Sequence, residues 1–375
     1  MIRVLTFGRY ADDNFGGLER YVFELSRALQ GEVEFVNIVA ERGGRPDTTL
    51  VGETVYAQPW LSVGGTPICP GMPWHALSRH RRVPFDIVHL QFPADPMAHL
   101  AYALIPRNVK RVIGWHSDIV RQRALLRLYR PILDRTLRGA DAIIAATPAH
   151  VSSSTQLAAV RDSTRLHYVP YGMDLSRFAV RPPLADEIRR RFGSAFLVFA
   201  LGRHVYYKGF EFLLRALAHV PGARLALGGQ GPLTADLRRI AAEAGVADRV
   251  EFVGRIPDAE LPAWYYACDV FCLPSVEPAE AFGIVQVEAM ACARPVVCCQ
   301  LNNGVNWVNR DGDTGLAVPP ADPQALARAL ARLQSDPDLR SRLGEAGRRR
   351  AHAEFTSEAV ARGTLAVYRE VLSRL

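Results

Sequence analysis

Short runs of consecutive apolar residues recur along this chain, and most are followed by a stretch whose apolar positions repeat at three- and four-residue spacing. IRVLTFG (2–8) leads to LERYVFELSRAL (18–29), and FLVFAL (196–201) leads to the helical pattern of 210–219. Runs at 33–39, 86–90, 110–114, 142–146 and 166–169 complete a first set, and runs at 224–227, 250–254, 270–273 and 295–299 a second. Strand runs buried on both faces, alternating with amphipathic helices, predict an α/β protein with parallel, doubly wound sheets. The two sets are alike in pattern and not in sequence, which argues two Rossmann-like domains rather than a short-period repeat. Pro170-Tyr171-Gly172-Met173-Asp174 reads as the linker, with Pro182-Pro183 close behind. We expect a first domain over 1–175 and a second over 176–356. The amphipathic stretch 357–375 is expected to pack back on the first.

At 375 residues the chain is too long for one ordinary core and comfortable for two. Residues MIRVLTFGRY read as a first strand and lack the apolar stretch of a signal peptide, and no run spans a bilayer. A cytoplasmic protein is the expectation. The six cysteines show no CxxC pair and no zinc spacing, so they read as small buried hydrophobes in a reducing compartment.

Charge adds one feature. Residues 79–138 hold twelve basic and four acidic side chains, a surplus of eight against seven for the whole chain. Within it, 118–141 alternates arginine with Leu, Ile and Tyr and is interrupted by Pro131. Such a segment can rest on an anionic membrane or be a core helix with a solvated face. No recognised reading motif accompanies the charge, so nucleic acid is not expected as a partner. Lysine occurs only at Lys110 and Lys208 among 45 basic residues, which draws attention to a lysine kept in a strand-to-helix loop.

Candidate chemistry gathers just beyond strand ends, where doubly wound sheets bind ligands. Glu277–Pro295 runs from a loop carrying Glu280 into a helix carrying Glu288 in its second turn. The unsatisfied amides of that helix start favour an anion such as phosphate, and the two carboxylates suit sugar hydroxyls. The alternative is a helix-capping Glu280 and a Glu288 on a solvated face. Arg203 and Lys208 can neutralise a leaving diphosphate without a metal, or be two surface cations. Gly229-x-Gly231-Pro232 makes a second tight turn, and a base can lie against the backbone at Arg255-Ile256. Gly16-Gly17 can let amides approach a phosphate or simply make the turn. His116 is well placed past a strand end, although a lone histidine is usually a structural hydrogen-bonder. Asp311-Gly312-Asp313 has the form of a metal-binding D-x-D, but its turn-rich surroundings read as a hairpin loop. Asn302-Asn303-Gly304 reads as another turn.

Taken together, Gly202-Arg203-x4-Lys208-Gly209, Gly229-x-Gly231-Pro232, Glu280-x7-Glu288 and Asp313-Thr314-Gly315, in this order, resemble the E-x7-E group of retaining GT-B glycosyltransferases, glycosyltransferase family 4. The resemblance covers essentially the whole chain. His116–Gln122, Leu126–Pro131, Tyr206–Gly209 and Glu280–Ile284 are further similar to a subgroup that builds bacterial O-antigen, many of whose members are described as transferring mannose or rhamnose from a GDP donor. The resemblance implies a GT-B fold, two Rossmann-like domains facing across a cleft that closes around a nucleotide sugar.

Carried over by position, the resemblance implies that Arg203 and Lys208 bind the donor diphosphate. Glu280 would hold the transferred hexose, beside Ala281, the amides of Phe282 and Gly283, and Ile284. Glu288 would take the ribose, Gly16-Gly17 and Gly229 would lie by the donor, Arg255-Ile256 would meet the base, and His116 would contact the sugar. No metal or other cofactor is implied, the donor being GDP-mannose or GDP-rhamnose. The chemistry implied is front-side attack with retention, without a covalent nucleophile. The acceptor implied is a glycan or polyprenyl-diphosphate-linked oligosaccharide at the cytoplasmic face of a membrane, touched peripherally through Arg121, Arg123, Arg127 and Arg130. A UDP-hexose donor is the alternative, and a nucleotide-sugar-binding protein without turnover a further one. A Rossmann dehydrogenase is disfavoured by the missing G-x-G-x-x-G.

Overall fold

The structure is a computed structural model that describes residues 1–8, 17–41, 50–63, 66–116, 118–119, 123–161 and 163–374. It divides into two units, Met1–Met173 with Ser357–Leu375, and Asp174–Thr356. The strand-then-helix alternation of the sequence appears in both.

The first unit runs β1 (Ile2–Gly8), α1 (Gly17–Ala28), β2 (Val33–Ala40), β3 (Glu53–Ala57), β4 (Leu61–Val63), β5 (Thr66–Ile68), α2 (Met72–Arg82), β6 (Ile87–Phe92), α3 (Pro96–Leu104), β7 (Lys110–Trp115), α4 (Arg123–Arg138), β8 (Ala142–Ala145), α5 (Pro148–Ser153) and β9 (Leu166–Tyr168). Seven of these strands form one sheet in the order β3-β2-β1-β6-β7-β8-β9, and every pairing in it is parallel. β4 and β5 form a separate antiparallel pair. Alternation along each strand sends side chains to two cores. Val88, Leu90 and Phe92 join the α2–α3 side with Met72, Ala98 and Tyr102. Val4, Ile87 and Val112 join the other side with Tyr21, Val22 and Leu25 of α1. The last helix, Ser357–Ser373, adds Val360, Leu365, Tyr368 and Val371 to that second core.

The second unit runs α6 (Leu184–Phe192), β10 (Phe196–Leu201), α7 (Phe210–Leu217), β11 (Ala223–Gly228), α8 (Thr234–Glu243), β12 (Val250–Gly254), α9 (Leu261–Ala267), β13 (Val270–Leu273), α10 (Ile284–Ala291), β14 (Val296–Cys299), α11 (Gly304–Val308), β15 (Gly315–Val318), α12 (Pro323–Ser335) and α13 (Pro337–Glu354). Its sheet is also all parallel, in the order β12-β11-β10-β13-β14-β15. The strand order reverses between β10 and β13, so the loops leaving those two strands open side by side at a topological switch point.

Three local expectations change. Pro131 does not interrupt the basic segment: α4 is one helix with Pro131 inside it. Asn302–Gly304 is not a simple turn but the start of α11, with Asn303 as N-cap accepting from the Val305 amide. The solvated face that the alternative reading gave Glu288 is not found, since Gln286 and Glu288 are buried along with Val287, Met290 and Ala291. Asp311 and Asp313 stand in the turn entering β15, where Asp311 accepts from the Ala317 amide. All six cysteines are free and buried. Among the described residues no helix is long and apolar enough to cross a membrane.

Candidate active site

Two loops of the second unit meet at its switch point. The loop after β10 carries Gly202, Arg203 and Lys208, and the loop after β13 carries Ser275 and Glu280. Lys208 Nζ donates to Glu280 Oε2 at 2.5 Å, and Ser275 Oγ donates to the same oxygen at 2.9 Å. Both charged side chains are nearly buried, 12% and 11% exposed, so water does little to screen the pair. Asn303 Nδ2 donates to the Glu280 carbonyl at 2.7 Å and so fixes the loop from the side of α11. Glu280 therefore does not cap α10. The helix starts at Gly283, whose φ of 70° favours glycine, and no side chain caps it. Its first N–H groups have no intrahelical partner and remain a place for an anion. Phe282 is buried against the edge of Phe355, whereas Ala281 and Ile284 are exposed beside it.

Glu288 lies deeper. Its Oε1 accepts from Arg177 Nη2 at 2.8 Å, and its Oε2 from Tyr265 Oη at 2.7 Å. Burial, then the Glu288 carboxylate, pushes the Tyr265 phenol well above its ordinary pKa, so it stays a donor. Gln286, on the preceding turn, donates to the Phe282 and Val305 carbonyls.

Arg203 is exposed, and its side chain has no hydrogen bond or ion pair among the described residues. The glycine turn after β11 packs backbone on backbone against this loop. A Cβ at Gly229, where φ is 100°, would stand 2.0 Å from the Gly202 carbonyl oxygen. Beyond β12, Arg255 is exposed and Ile256 is buried. Among the described residues no group of three or more His, Cys, Asp or Glu side chains stands close enough to hold a metal ion.

In the first unit His116 follows β7. Its Nε2 pairs with Gln91 Oε1 at 2.7 Å and its Nδ1 with Tyr171 Oη at 3.2 Å, and it lies edge-on to Tyr21. Burial, with His89 and His150 acting in the same direction, pushes its pKa down to about 3, so the ring is neutral at physiological pH. His116 is thus held on both nitrogens rather than free, and a sugar hydroxyl would reach a ring nitrogen by exchanging with Tyr171. The Asp118 carboxylate accepts from Ser154 Oγ and the Thr155 amide, a local structural role. Gly16 and Arg121 lie outside the described residues, as do the side chains of Arg123 and Arg127; Gly17 is the first residue of α1. Arg130 is engaged by Asp134 at 2.9 Å and the Thr155 carbonyl at 3.1 Å.

The structure thus brings Lys208, Glu280 and the start of α10 together and gives Glu288 its own pair of partners. The sequence assigns no role to Ser275, Arg177, Tyr265 or Gln91, and places Asn303 only in a turn. All but Ser275 act through a residue 23 or more positions away, and no local spacing marks such a pairing. Only Ser275, five residues before Glu280 in the same loop, carried a nearby signal.

Comparison with known proteins bears on the family. Residues 185–350 match the family model for glycosyl transferases group 1, and residues 15–177 match that for glycosyltransferase family 4. The chain is 31% identical to O-antigen chain mannosyltransferase C of Escherichia coli, over 95% of each. It is 32% identical to the D-rhamnosyltransferase WbpZ of Pseudomonas aeruginosa, over 95% of this chain and 93% of that one. Among solved structures, sucrose-phosphate synthase from Thermosynechococcus elongatus superposes with a TM-score of 0.77 at 24% identity, each chain covered completely. HepE of Anabaena, in complex with UDP and glucose, superposes with a TM-score of 0.74 at 19% identity, over 99% of this chain and 100% of that one. With two parallel Rossmann-like sheets and whole-length relatives of this kind, the chain belongs to glycosyltransferase family 4, of the GT-B type.

Proposed function

We propose that this glycosyltransferase moves a hexose, mannose or rhamnose, from a GDP-sugar to a hydroxyl of a glycan or polyprenyl-diphosphate-linked oligosaccharide in O-antigen-like polysaccharide synthesis, with retention at the anomeric carbon. The observation that carries it is the Lys208–Glu280 pair at the switch point, next to the unsatisfied amides of α10. A diphosphate seated there meets Lys208, the exposed Arg203 and a helix N-terminus, a set of positive groups that acts without a metal. Charge building on the departing nucleotide is where such groups lower a barrier most. Glu280, released from Lys208 as the diphosphate arrives, has an oxygen to offer the hexose hydroxyls. With Ser275 donating to it as well, Glu280 is a hydrogen-bonding and positioning group and a poor nucleophile, which favours front-side attack over a covalent intermediate. Glu288, held by Arg177 and Tyr265, takes the ribose, and Arg255-Ile256 flank the base.

The names of the relatives support the mannosyl or rhamnosyl donor, and a third, from Mycolicibacterium smegmatis, is a GDP-mannose-dependent mannosyltransferase acting on a phosphatidylinositol mannoside, 34% identical over 63% of this chain. Peripheral contact with the cytoplasmic membrane face is part of the proposal. Its support is the exposed Arg107, Arg135 and Arg138, without carboxylate partners among the described residues, near the exposed Leu100, Leu104 and Ile132. These residues border or lie next to a groove of about 830 Å³ along α3 and α4.

The test is calorimetric binding of GDP, UDP, GDP-mannose and UDP-glucose without added metal, then transfer to lipid-linked acceptors with the product's anomeric configuration read by NMR. GDP preference and a retained configuration are expected. A UDP preference moves the donor to a UDP-hexose, an inverted product removes the front-side mechanism, and binding without transfer to any acceptor leaves a nucleotide-sugar-binding protein.

A further inference from the structure

Among the described residues, a band of buried polar side chains interrupts the apolar core on the α1 side of the first unit's sheet. On β6 the alternation that buries Ile87 also turns His89 and Gln91 to that side, and both are at most 2% exposed. His89 pairs in register with Thr6 of β1, and Gln91 with Gly114 of β7. The side chains form a chain: Tyr368 Oη to His89 Nδ1 at 2.7 Å, His89 Nε2 to the Gln91 amide nitrogen at 3.4 Å, and Gln91 Oε1 to His116 Nε2 at 2.7 Å. Gly114 makes the room. A Cβ there would stand 2.3 Å from Gln91 Oε1 and 3.0 Å from His89 Nε2.

A carboxamide has one accepting end and one donating end. Gln91 presents the first to His116 and the second to His89, so the two imidazoles cannot show it the same face. If His116 offers Nε2–H, His89 must offer a bare Nε2 and carry its proton on Nδ1, toward Tyr368. We propose that Gln91 is a positioning residue that locks His116 as the Nε2–H tautomer and, through His89, ties that choice to Tyr368 of the last helix. His116 Nδ1 is then a bare acceptor facing the Tyr171 hydroxyl at 3.2 Å, whose single proton is also within reach of the His116 carbonyl at 3.3 Å, and a substrate hydroxyl would exchange in there. That consequence for catalysis rests on the glycosyl-transfer reading. The tautomer coupling does not.

The whole chain, labelled with ¹⁵N-histidine, gives the test at pH 7. Long-range ¹H–¹⁵N spectra report the protonated nitrogen of each ring, and the His89→Asn and His116→Asn spectra identify the two sets of peaks. Nε2–H is expected at His116 and Nδ1–H at His89. Gln91→Met should release both rings into tautomer mixtures. Gln91→Glu, whose carboxylate only accepts, should put protons on both nitrogens of His116 and raise its pKa from about 3 toward the ordinary range. The same tautomer at both histidines, Nδ1–H at His116, or a Gln91→Met spectrum like that of the wild type would overturn the coupling. In turnover, Gln91→Met should lower kcat by about 10-fold or more with donor KM within about twofold, and Gln91→Glu should add an inflection to the pH profile. Unchanged kcat in Gln91→Met would remove the positioning role. Correct tautomers in a wild type that transfers no sugar would count against the proposed function and leave the coupling standing.

Discussion

Glu280→Gln separates two uses of Lys208 that the free protein combines. In the wild type Lys208 Nζ is held by Glu280 at 2.5 Å, in a setting where each side chain is only about a tenth exposed. At that distance and an effective dielectric near 20, the bare attraction is about 6–7 kcal/mol. Most is returned as desolvation of the two ions, and a charge-assisted hydrogen bond nets about 1.5–3 kcal/mol. A diphosphate that takes Lys208 must first displace that contact and then sit beside the carboxylate. The glutamine keeps the side chain's shape and its acceptor for Ser275 but removes the charge. We expect GDP to bind Glu280→Gln about 10-fold tighter than wild type, about 1.4 kcal/mol, while transfer falls by about 100-fold because the hexose contact is weakened. Without ligand the variant should be about 1–3 kcal/mol less stable, since Lys208 is left nearly buried and unpaired, and GDP should restore the loss. Titration calorimetry with GDP and a thermal melt with and without GDP measure both effects. Lys208→Ala is the control and should weaken GDP by about 10- to 100-fold. Unchanged or weaker GDP binding in Glu280→Gln would refute the argument that Glu280 withholds Lys208 from the diphosphate.

Gly229→Ala should cost about 2–4 kcal/mol by urea unfolding of the second unit, because the positive φ and the 2.0 Å approach to the Gly202 carbonyl act together. Tyr265→Phe removes the hydroxyl that donates to Oε2 of the buried Glu288 and should cost about 1–3 kcal/mol, with Arg177 still holding Oε1. Acid should weaken the first unit. His89 and His116 are pushed down to about 3 and His99 to about 4, so the unfolded chain binds more protons than the folded one once pH falls below about 6.5. Stability is therefore flat above that pH and falls below it until the folded pKa values are reached, at up to about 1.4 kcal/mol per pH unit for each histidine. Urea midpoints at pH 7 and pH 5 check this, and a midpoint that does not move would contradict it. Reversing charge at Arg107, Arg135 and Arg138 should reduce sedimentation with anionic vesicles, at about 1 kcal/mol for each arginine that meets the surface, and unchanged sedimentation would remove the membrane contact from the proposal.

The two sheets were legible because parallel strands buried on both faces leave continuous apolar runs, and Phe196–Leu201 or Val270–Leu273 can be little else. α10 shows the limit of periodicity. The alternative reading put Glu288 on a solvated face, yet it is buried with Gln286, because Arg177 and Tyr265 supply Glu288 with partners from 111 and 23 residues away. Pro131 misled in the opposite direction: a proline in an arginine-rich stretch reads as an interruption, but α4 continues through it. The position of Lys208 in its loop could be read, whereas its pairing with Glu280 could not, since 72 residues separate them and only the strand order brings β10 beside β13.

The departures from pattern are themselves informative. A strand face that buries Ile87 and then His89 and Gln91 gives up apolar contact and must satisfy each polar atom to remain stable. β6 satisfies them only because β7 has a glycine in register and the last helix supplies a tyrosine hydroxyl, so three elements are fitted to one amide. An apolar β6 would pack as well without any of these requirements. In the second unit the same exchange occurs at Glu288, where a buried carboxylate replaces a residue that could have been alanine or valine in an otherwise apolar helix. Gln91 is the last but one residue of β6, and Glu288 stands in the second turn of the helix that follows β13; C-terminal strand edges are where doubly wound sheets hold ligands. Stability alone gives no reason to place ionisable and amide groups there. Orienting groups toward a bound substrate would, and that is the role the proposed function gives to His116, which Gln91 holds, and to Glu288.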